Sequence, residues 1–287
     1  MFQAELVLDI NATLGEGPCW DEDSQKLIWV DIEGCTVNHF DPVTGVNAST
    51  GVGKRVGAAV QRDQGGMILA LDDGFYAFDP DSRDLVHLHD PEPGVHTNRF
   101  NDGKCDPYGR FWAGSMVLKG RKERAALYRM DPDGSVQTME TGITISNGLA
   151  FDEARSLMYY IDSVTKQIAR YDYDGQSGEI RNKIVAFSVA DQPGVPDGMT
   201  IDDEGMLWVA FFNGGKVVRF APDSGVVLEE VAVASSKVTS CSFGGRDYHE
   251  LYITTARADD DQYEPHSGGL YKVRLPVSGV RSHRFSG

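Results

Sequence analysis

The chain has 287 residues, 43 of them acidic against 27 basic, for a formal charge of −16, and 32 glycines. A surface this acidic repels phosphate backbones and anionic headgroups, which argues against nucleic-acid and membrane-surface roles. No run of 18 apolar residues predicts a membrane span, and Met1-Phe2-Gln3-Ala4-Glu5 lacks the basic region of a secretory signal, so no leader is expected.

In chain order, the first predicted strand is Glu5 to Leu8. One sentence of sequence then recurs six times. Each copy opens on a short strand: Leu14-Gly15-Glu16-Gly17-Pro18, Val56-Gly57-Ala58-Ala59-Val60, Phe100-Asn101-Asp102-Gly103-Lys104, Ser146-Asn147-Gly148-Leu149-Ala150, Pro196-Asp197-Gly198-Met199-Thr200 and Thr239-Ser240-Cys241-Ser242-Phe243. With Glu16, Gly57, Asn101, Asn147, Asp197 and Ser240 as markers, the steps are 41, 44, 46, 50 and 43 residues. A second strand follows in each copy, at Leu27 to Asp31, Met67 to Ala70, Phe111 to Gly114, Leu157 to Ile161, Met206 to Ala210 and Leu251 to Thr254. A third follows at Thr36 to Phe40, Gly74 to Phe78, Ala126 to Met130, Ile168 to Tyr171, Val217 to Phe220 and Gly269 to Val273. A fourth fits where room allows, as at Val136 to Glu140 and Val227 to Val231.

Four short antiparallel strands repeated six times predict an all-β fold, a six-bladed β-propeller of four-stranded antiparallel blades. A small sheet cannot cover both of its faces alone, and stacking between two like sheets does so. The ring is expected to close through the N-terminal strand, joining the last blade beside Val280 to Phe285. No linker interrupts the pattern, so residues 1–287 are expected to form a single domain. Cys19, Cys35, Cys105 and Cys241 contain no Cys-x-x-Cys pair. They predict reduced, packed thiols and hence a cytoplasmic location.

In a propeller the innermost strands start at one mouth of the central channel, so markers far apart in sequence converge there. Four of the six are acids or amides: Glu16, Asn101, Asn147 and Asp197. All are oxygen donors, without His or Cys, which suits a hard cation such as Ca²⁺, Mg²⁺ or Mn²⁺, with Zn²⁺ less favoured. Asn and Asp before Gly are also ordinary hairpin residues. Here, however, they head the innermost strand, whereas the evident turn acids (Asp131, Asp133, Asp202, Asp203, Asp223) follow strands or lie between them.

The stretches Leu14 to Pro18 with Trp29 to Ile32, Asn98 to Lys104 with Phe111 to Met116, Ser146 to Phe151, and Pro196 to Met199 resemble the senescence-marker-protein/gluconolactonase/luciferin-regenerating-enzyme-like family. The resemblance runs in register from about residue 12 to 275. It implies a six-bladed propeller and one catalytic divalent cation, calcium first, held by Glu16, Asn147 and Asp197. It also implies that Arg99 and Asn101 contact the substrate and that Asp197 doubles as general base. The implied reaction is hydrolysis of a sugar-acid lactone to the free aldonic acid. Asp102 is expected to accept a hydrogen bond from a ligand amide or from arginine. One departure stands out. Where sugar-lactone-cleaving members carry acidic residues after the Gly-Ser/Thr-Met segment, this chain reads Val117-Leu118-Lys119. A basic loop follows, Lys119-Gly120-Arg121-Lys122-Glu123-Arg124, expected to be solvated.

Two competing readings share the channel: a phosphotriesterase or aryl-ester hydrolase on the same metal, and a non-catalytic calcium-binding propeller. The remaining motifs predict structure. His87-Leu88-His89 lacks a third ligand and reads as a surface strand. Asp259-Asp260-Asp261 lacks the Gly and Glu of a calcium loop. Trp29, Trp112, Trp208, Tyr171 and Tyr173 are expected to pack between blades. There is no Gly-x-Ser-x-Gly and no phosphate-binding glycine loop.

Overall fold

The computed structural model describes residues 1–122, 124–257 and 264–287. Two N-terminal strands, β1 (Phe2–Gln3) and β2 (Glu5–Leu8), precede the first blade. Blade 1 is β3 (Gly15–Asp21), β4 (Lys26–Asp31), β5 (Thr36–Phe40) and β6 (Asn47–Gly51). Blade 2 is β7 (Val56–Gln61), β8 (Met67–Leu71), β9 (Gly74–Phe78) and β10 (Leu85–His89). Blade 3 is β11 (Asn98–Cys105), β12 (Phe111–Val117), β13 (Ala125–Met130) and β14 (Val136–Ile143). Blade 4 is β15 (Ser146–Asp152), β16 (Leu157–Asp162), β17 (Gln167–Asp174) and β18 (Glu179–Ser188). Blade 5 is β19 (Val195–Ile201), β20 (Leu207–Phe212), β21 (Lys216–Phe220) and β22 (Val227–Ala232). Blade 6 is β23 (Val238–Gly244), β24 (Glu250–Thr255) and β25 (Leu270–Arg274). Strands within each blade pair antiparallel in chain order, so the six blades are successive meanders.

The last blade is completed by β2, which pairs antiparallel with β25 through Glu5–Lys272 and Leu6–Tyr271. Strand β1 adds in parallel to β22 of blade 5, with Phe2 opposite Val231. The N-terminus thus closes the ring as expected, but against Leu270–Arg274 rather than Val280 to Phe285. Residues 280–285 instead cross the far end of the channel. The Val280 amide donates to the Ile201 carbonyl in blade 5, the Trp20 amide of blade 1 to the Ser282 hydroxyl, and the Phe285 amide to the Gln61 carbonyl in blade 2. Pro276 limits continuation of the strand at this point, since proline brings no amide donor to a ladder.

The burial pattern follows strand position. Every residue of β8 and β13 is buried, whereas β10 is mostly exposed. The two histidines expected on a surface strand lie there, with the His87 ring edge against Tyr76 at 5.0 Å. Trp29, Trp112 and Trp208 pack between blades as expected, each contributing roughly 1.5–3 kcal/mol through burial or somewhat more. Two of them sit in repeated modules. The Trp112 indole N–H donates to Asp106 at 3.0 Å, with the Arg129 guanidinium 5.8 Å from the ring. Trp208 donates to Asp202 at 2.9 Å beneath Arg219, also at 5.8 Å. The Asp259-Asp260-Asp261 motif lies outside the described residues.

Every inner strand is bulged at or next to its marker. Register shifts fall between Glu16 and Cys19, Val56 and Ala58, Phe100 and Gly103, Asn147 and Leu149, Pro196 and Met199, and Val238 and Ser240. A bulge locally suspends pairing and re-aims a side chain. The inner strands of all six blades thus carry a bulge at the same level of the ring.

Candidate metal and substrate site

Glu16, Asn101, Asn147 and Asp197 lie in four different inner strands at this bulged level. All four are nearly inaccessible, none more than 7% exposed, and Arg99 is 4% exposed. Blade 2 contributes Gly57 instead, because a Cβ there would lie 2.5 Å from the Asn101 carbonyl oxygen. Gly148 plays the same part between blades 4 and 5: a Cβ would meet the Met199 Cβ at 2.6 Å and the Asp197 carbonyl oxygen at 2.8 Å. These glycines let neighbouring inner strands approach closely enough for their side chains to share one space.

The carboxylates in that space repel each other. Burial first, and then the neighbouring Asp197 and Asp102, push the Glu16 carboxyl well above the usual range. Burial and Asp102 do the same to Asp197, opposed by a hydrogen bond from the Asn147 amide and by the charge of Arg99. Burial also raises Asp102, with Lys104 and the Gly103 amide opposing. Buried like charges at neutral pH call for a positive charge among them.

Asn147 is held from behind. Its amide donates to the Ser163 hydroxyl at 2.9 Å, and that hydroxyl donates to the Pro196 carbonyl at 2.7 Å. Its side-chain oxygen is buried and has no hydrogen-bond partner among the described residues. An orphaned buried amide oxygen beside two charge-crowded carboxylates fits a hard cation, which takes oxygen ligands of these kinds. Among the described residues no group of three or more His, Cys, Asp or Glu forms a metal cluster. The set here is two carboxylates and an amide.

Asn101 is placed differently. Its oxygen accepts from Arg99 at 2.7 Å and its amide donates to the Ser146 carbonyl at 2.7 Å, so both ends are engaged by protein. Arg99 also donates to the Phe100 carbonyl at 2.9 Å, while its Nε has no hydrogen bond among the described residues and stands 3.9 Å from the Glu33 carboxylate. Arg99 lines a cleft of ≈ 240 Å³ between blades 2 and 3, together with Asp72, Glu92, Ser115 and Leu118. Leu118 therefore does stand beside Arg99, and the carboxylates of this cleft come from blade 2 and the loop after it. The described residues of the basic loop are exposed, as expected. Asp102 does not reach an amide ligand or arginine. Its carboxylate accepts from the Gly103 amide at 2.7 Å and faces Lys104.

Three contributors carried no sequence signal. Ser163 lies in a 3-10 turn after β16, 16 residues from the asparagine it holds. Glu33 is a hairpin acid among many. Lys104 reads as a strand lysine, yet its ammonium lies inside the channel.

The fold is a six-bladed propeller with an acid-amide layer at the inner-strand bulges. The SMP-30/Gluconolactonase/LRE-like region matches residues 14–257, and the chain belongs to that family. It is 42% identical, over 99% of both chains, to a Bacillus subtilis (strain 168) protein named "Putative sugar lactone lactonase YvrE". It is 38% identical to Xenopus laevis regucalcin over 99% of this chain and 98% of that protein. The solved structure of a calcium-binding protein, regucalcin, from Agrobacterium tumefaciens str. C58 superposes with a TM-score of 0.94 at 25% identity, covering 100% of this chain and 98% of that one.

Proposed function

We propose that this protein hydrolyses the ring ester of a sugar-acid lactone, with Glu16, Asn147 and Asp197 holding one divalent cation. The reading is supported above all by the buried, unpartnered Asn147 oxygen beside two mutually repelling carboxylates. It is supported also by the lactonase name of the Bacillus subtilis relative. Calcium is the first choice, in keeping with the calcium-binding description of the Agrobacterium tumefaciens structure; magnesium, manganese and zinc are alternatives. When bound, the ion supplies Lewis-acid polarisation of the lactone carbonyl.

The chain's own residues do the rest. Arg99, steadied by its bonds to Asn101 and Phe100, presents its remaining N–H donors to a ring oxygen or hydroxyl. Asn101 sets the direction of that fork and contributes to the same substrate face. An Asp197 carboxylate oxygen takes the proton of the water that attacks the carbonyl carbon, acting as general base. The ring C–O bond then breaks, and the leaving alkoxide takes up a proton to give the aldonic acid. A lactone is neutral, so the acidic surface does not repel it.

The test is acid release from a panel of aldonolactones by metal-free and metal-loaded protein. Metal-dependent acid release supports the reading. Its absence across the panel, with calcium still bound, favours a calcium-binding propeller without catalysis. Release that persists in chelator rejects the metal's role.

A further inference from the structure

Below the acid-amide layer, one ammonium joins three inner strands. Lys104 belongs to β11, three residues past Asn101. Its Nζ donates to the Leu149 carbonyl of β15 at 3.0 Å and to the Met199 carbonyl of β19 at 2.7 Å. Each accepting residue stands two positions after a proposed cation ligand, Asn147 in one strand and Asp197 in the other. Each is also the residue at which regular pairing with the second strand resumes after the bulge.

This placement has a mechanical consequence. A bulge frees its residues from the ladder, and the residue between ligand and carbonyl is glycine in both strands, Gly148 and Gly198. Glycine adds conformational freedom where the ladder supplies least restraint. The two Lys104 hydrogen bonds restrain the downstream side of both bulges and tie them to a common point on blade 3. The ammonium lines a small cavity with Asp102, Cys241 and Ser240, closed at the far end by residues 280–283.

We propose that Lys104 is a positioning residue: it sets the spacing and direction of Asn147 and Asp197 toward the cation by bridging their strands from blade 3. The inference rests on the cation reading above, and its test separates the two. Amide hydrogen exchange is measured by mass spectrometry on metal-free wild type and Lys104→Met, and calcium is then titrated into both. Exchange is expected to quicken at least about tenfold in segments 147–149 and 197–199, with the inner strands of blades 1 and 2 unchanged. The calcium Kd is expected to weaken about 10–100-fold, the usual cost of losing a group that orients metal ligands. Lys104→Gln, which keeps an N–H donor, is expected to fall between them, and it carries the comparison if Lys104→Met does not fold. Exchange unchanged in the two segments, or raised equally around all six inner strands, overturns the positioning role. Local quickening in a protein whose wild type takes no calcium upholds the positioning role and rejects the cation reading.

Discussion

Arg99 donates to the side-chain oxygen of Asn101 at 2.7 Å, which fixes the Asn101 amide so that it donates to Ser146. The bond removes Asn101 from the set of open oxygen donors that the four polar markers suggest. Of the two amide markers, it leaves Asn147 as the one whose oxygen has no partner among the described residues. The arginine and the proposed cation ligands thus make different hydrogen bonds at one mouth, although the Arg99 charge is felt by Glu16 and Asp197.

Arg99→Met is therefore expected to damage substrate handling alone. A hydrogen bond to a charged group contributes about 1.5–3 kcal/mol, so kcat/KM should fall roughly 10–100-fold. The calcium Kd should not weaken, since the Arg99 charge competes with a cation for the Glu16 and Asp197 carboxylates. Parallel steady-state kinetics and calorimetry check this. An equal fall in calcium affinity would show that Arg99 supports the cation ligands rather than the substrate.

Glu16→Gln and Asp197→Asn should each abolish calcium binding and turnover, yet neither should weaken the metal-free fold. In the metal-free protein at neutral pH the Glu16 carboxylate is buried beside Asp197 and Asp102, and burial and repulsion both oppose its charge. Replacing it by an amide of the same shape relieves that cost. The metal-free Glu16→Gln protein should therefore melt at or above metal-free wild type in calorimetric scans. Loss of cooperative unfolding would instead give Glu16 a structural role.

Calcium should stabilise the wild type in proportion to its occupancy. At one hundred times Kd the gain is about 2.7 kcal/mol, and a shift of roughly 4–5 °C follows for a domain of this size. Chelator should reverse the shift. Magnesium at the same concentration should shift Tm less, since it tolerates departures from octahedral geometry poorly.

Gly148→Ala tests the close approach of blades 4 and 5. The added methyl would lie 2.6 Å from the Met199 Cβ and 2.8 Å from the Asp197 carbonyl oxygen. Overpacking of this kind costs about 1–3 kcal/mol. A lower denaturant midpoint and weaker calcium binding should appear together, because the strand displaced carries Asp197. A midpoint change without any change in calcium affinity would separate packing from the site.

The repeat was legible because each blade needs the same thing of its sequence. A polar residue, or glycine in blade 2, heads a short inner strand, a second apolar strand follows, and glycine or acidic turns separate them. Glu16, Asn101, Asn147 and Asp197 could be aligned on that pattern without coordinates. What the pattern could not convey is direction. The bulges at these residues leave no mark beyond a following glycine in three of the strands, and Asn101 and Asn147 look alike in sequence while one is engaged by Arg99 and the other is open. Ser163 and Lys104 were hidden for another reason. Their partners belong to other strands or neighbouring blades, and pairings created by ring closure have no sequence period. The final strand failed similarly: residues 280–285 look like a strand by composition, yet β2 already occupies the edge they would need.

The central claim is that Glu16, Asn147 and Asp197 grip a single cation. Calorimetric titration of calcium into the metal-free wild type, Glu16→Gln and Asn147→Leu tests it most directly. One calcium per chain is predicted for the wild type, with no measurable binding at the same concentration in either variant. Undiminished binding in both variants, or none in the wild type, would contradict it.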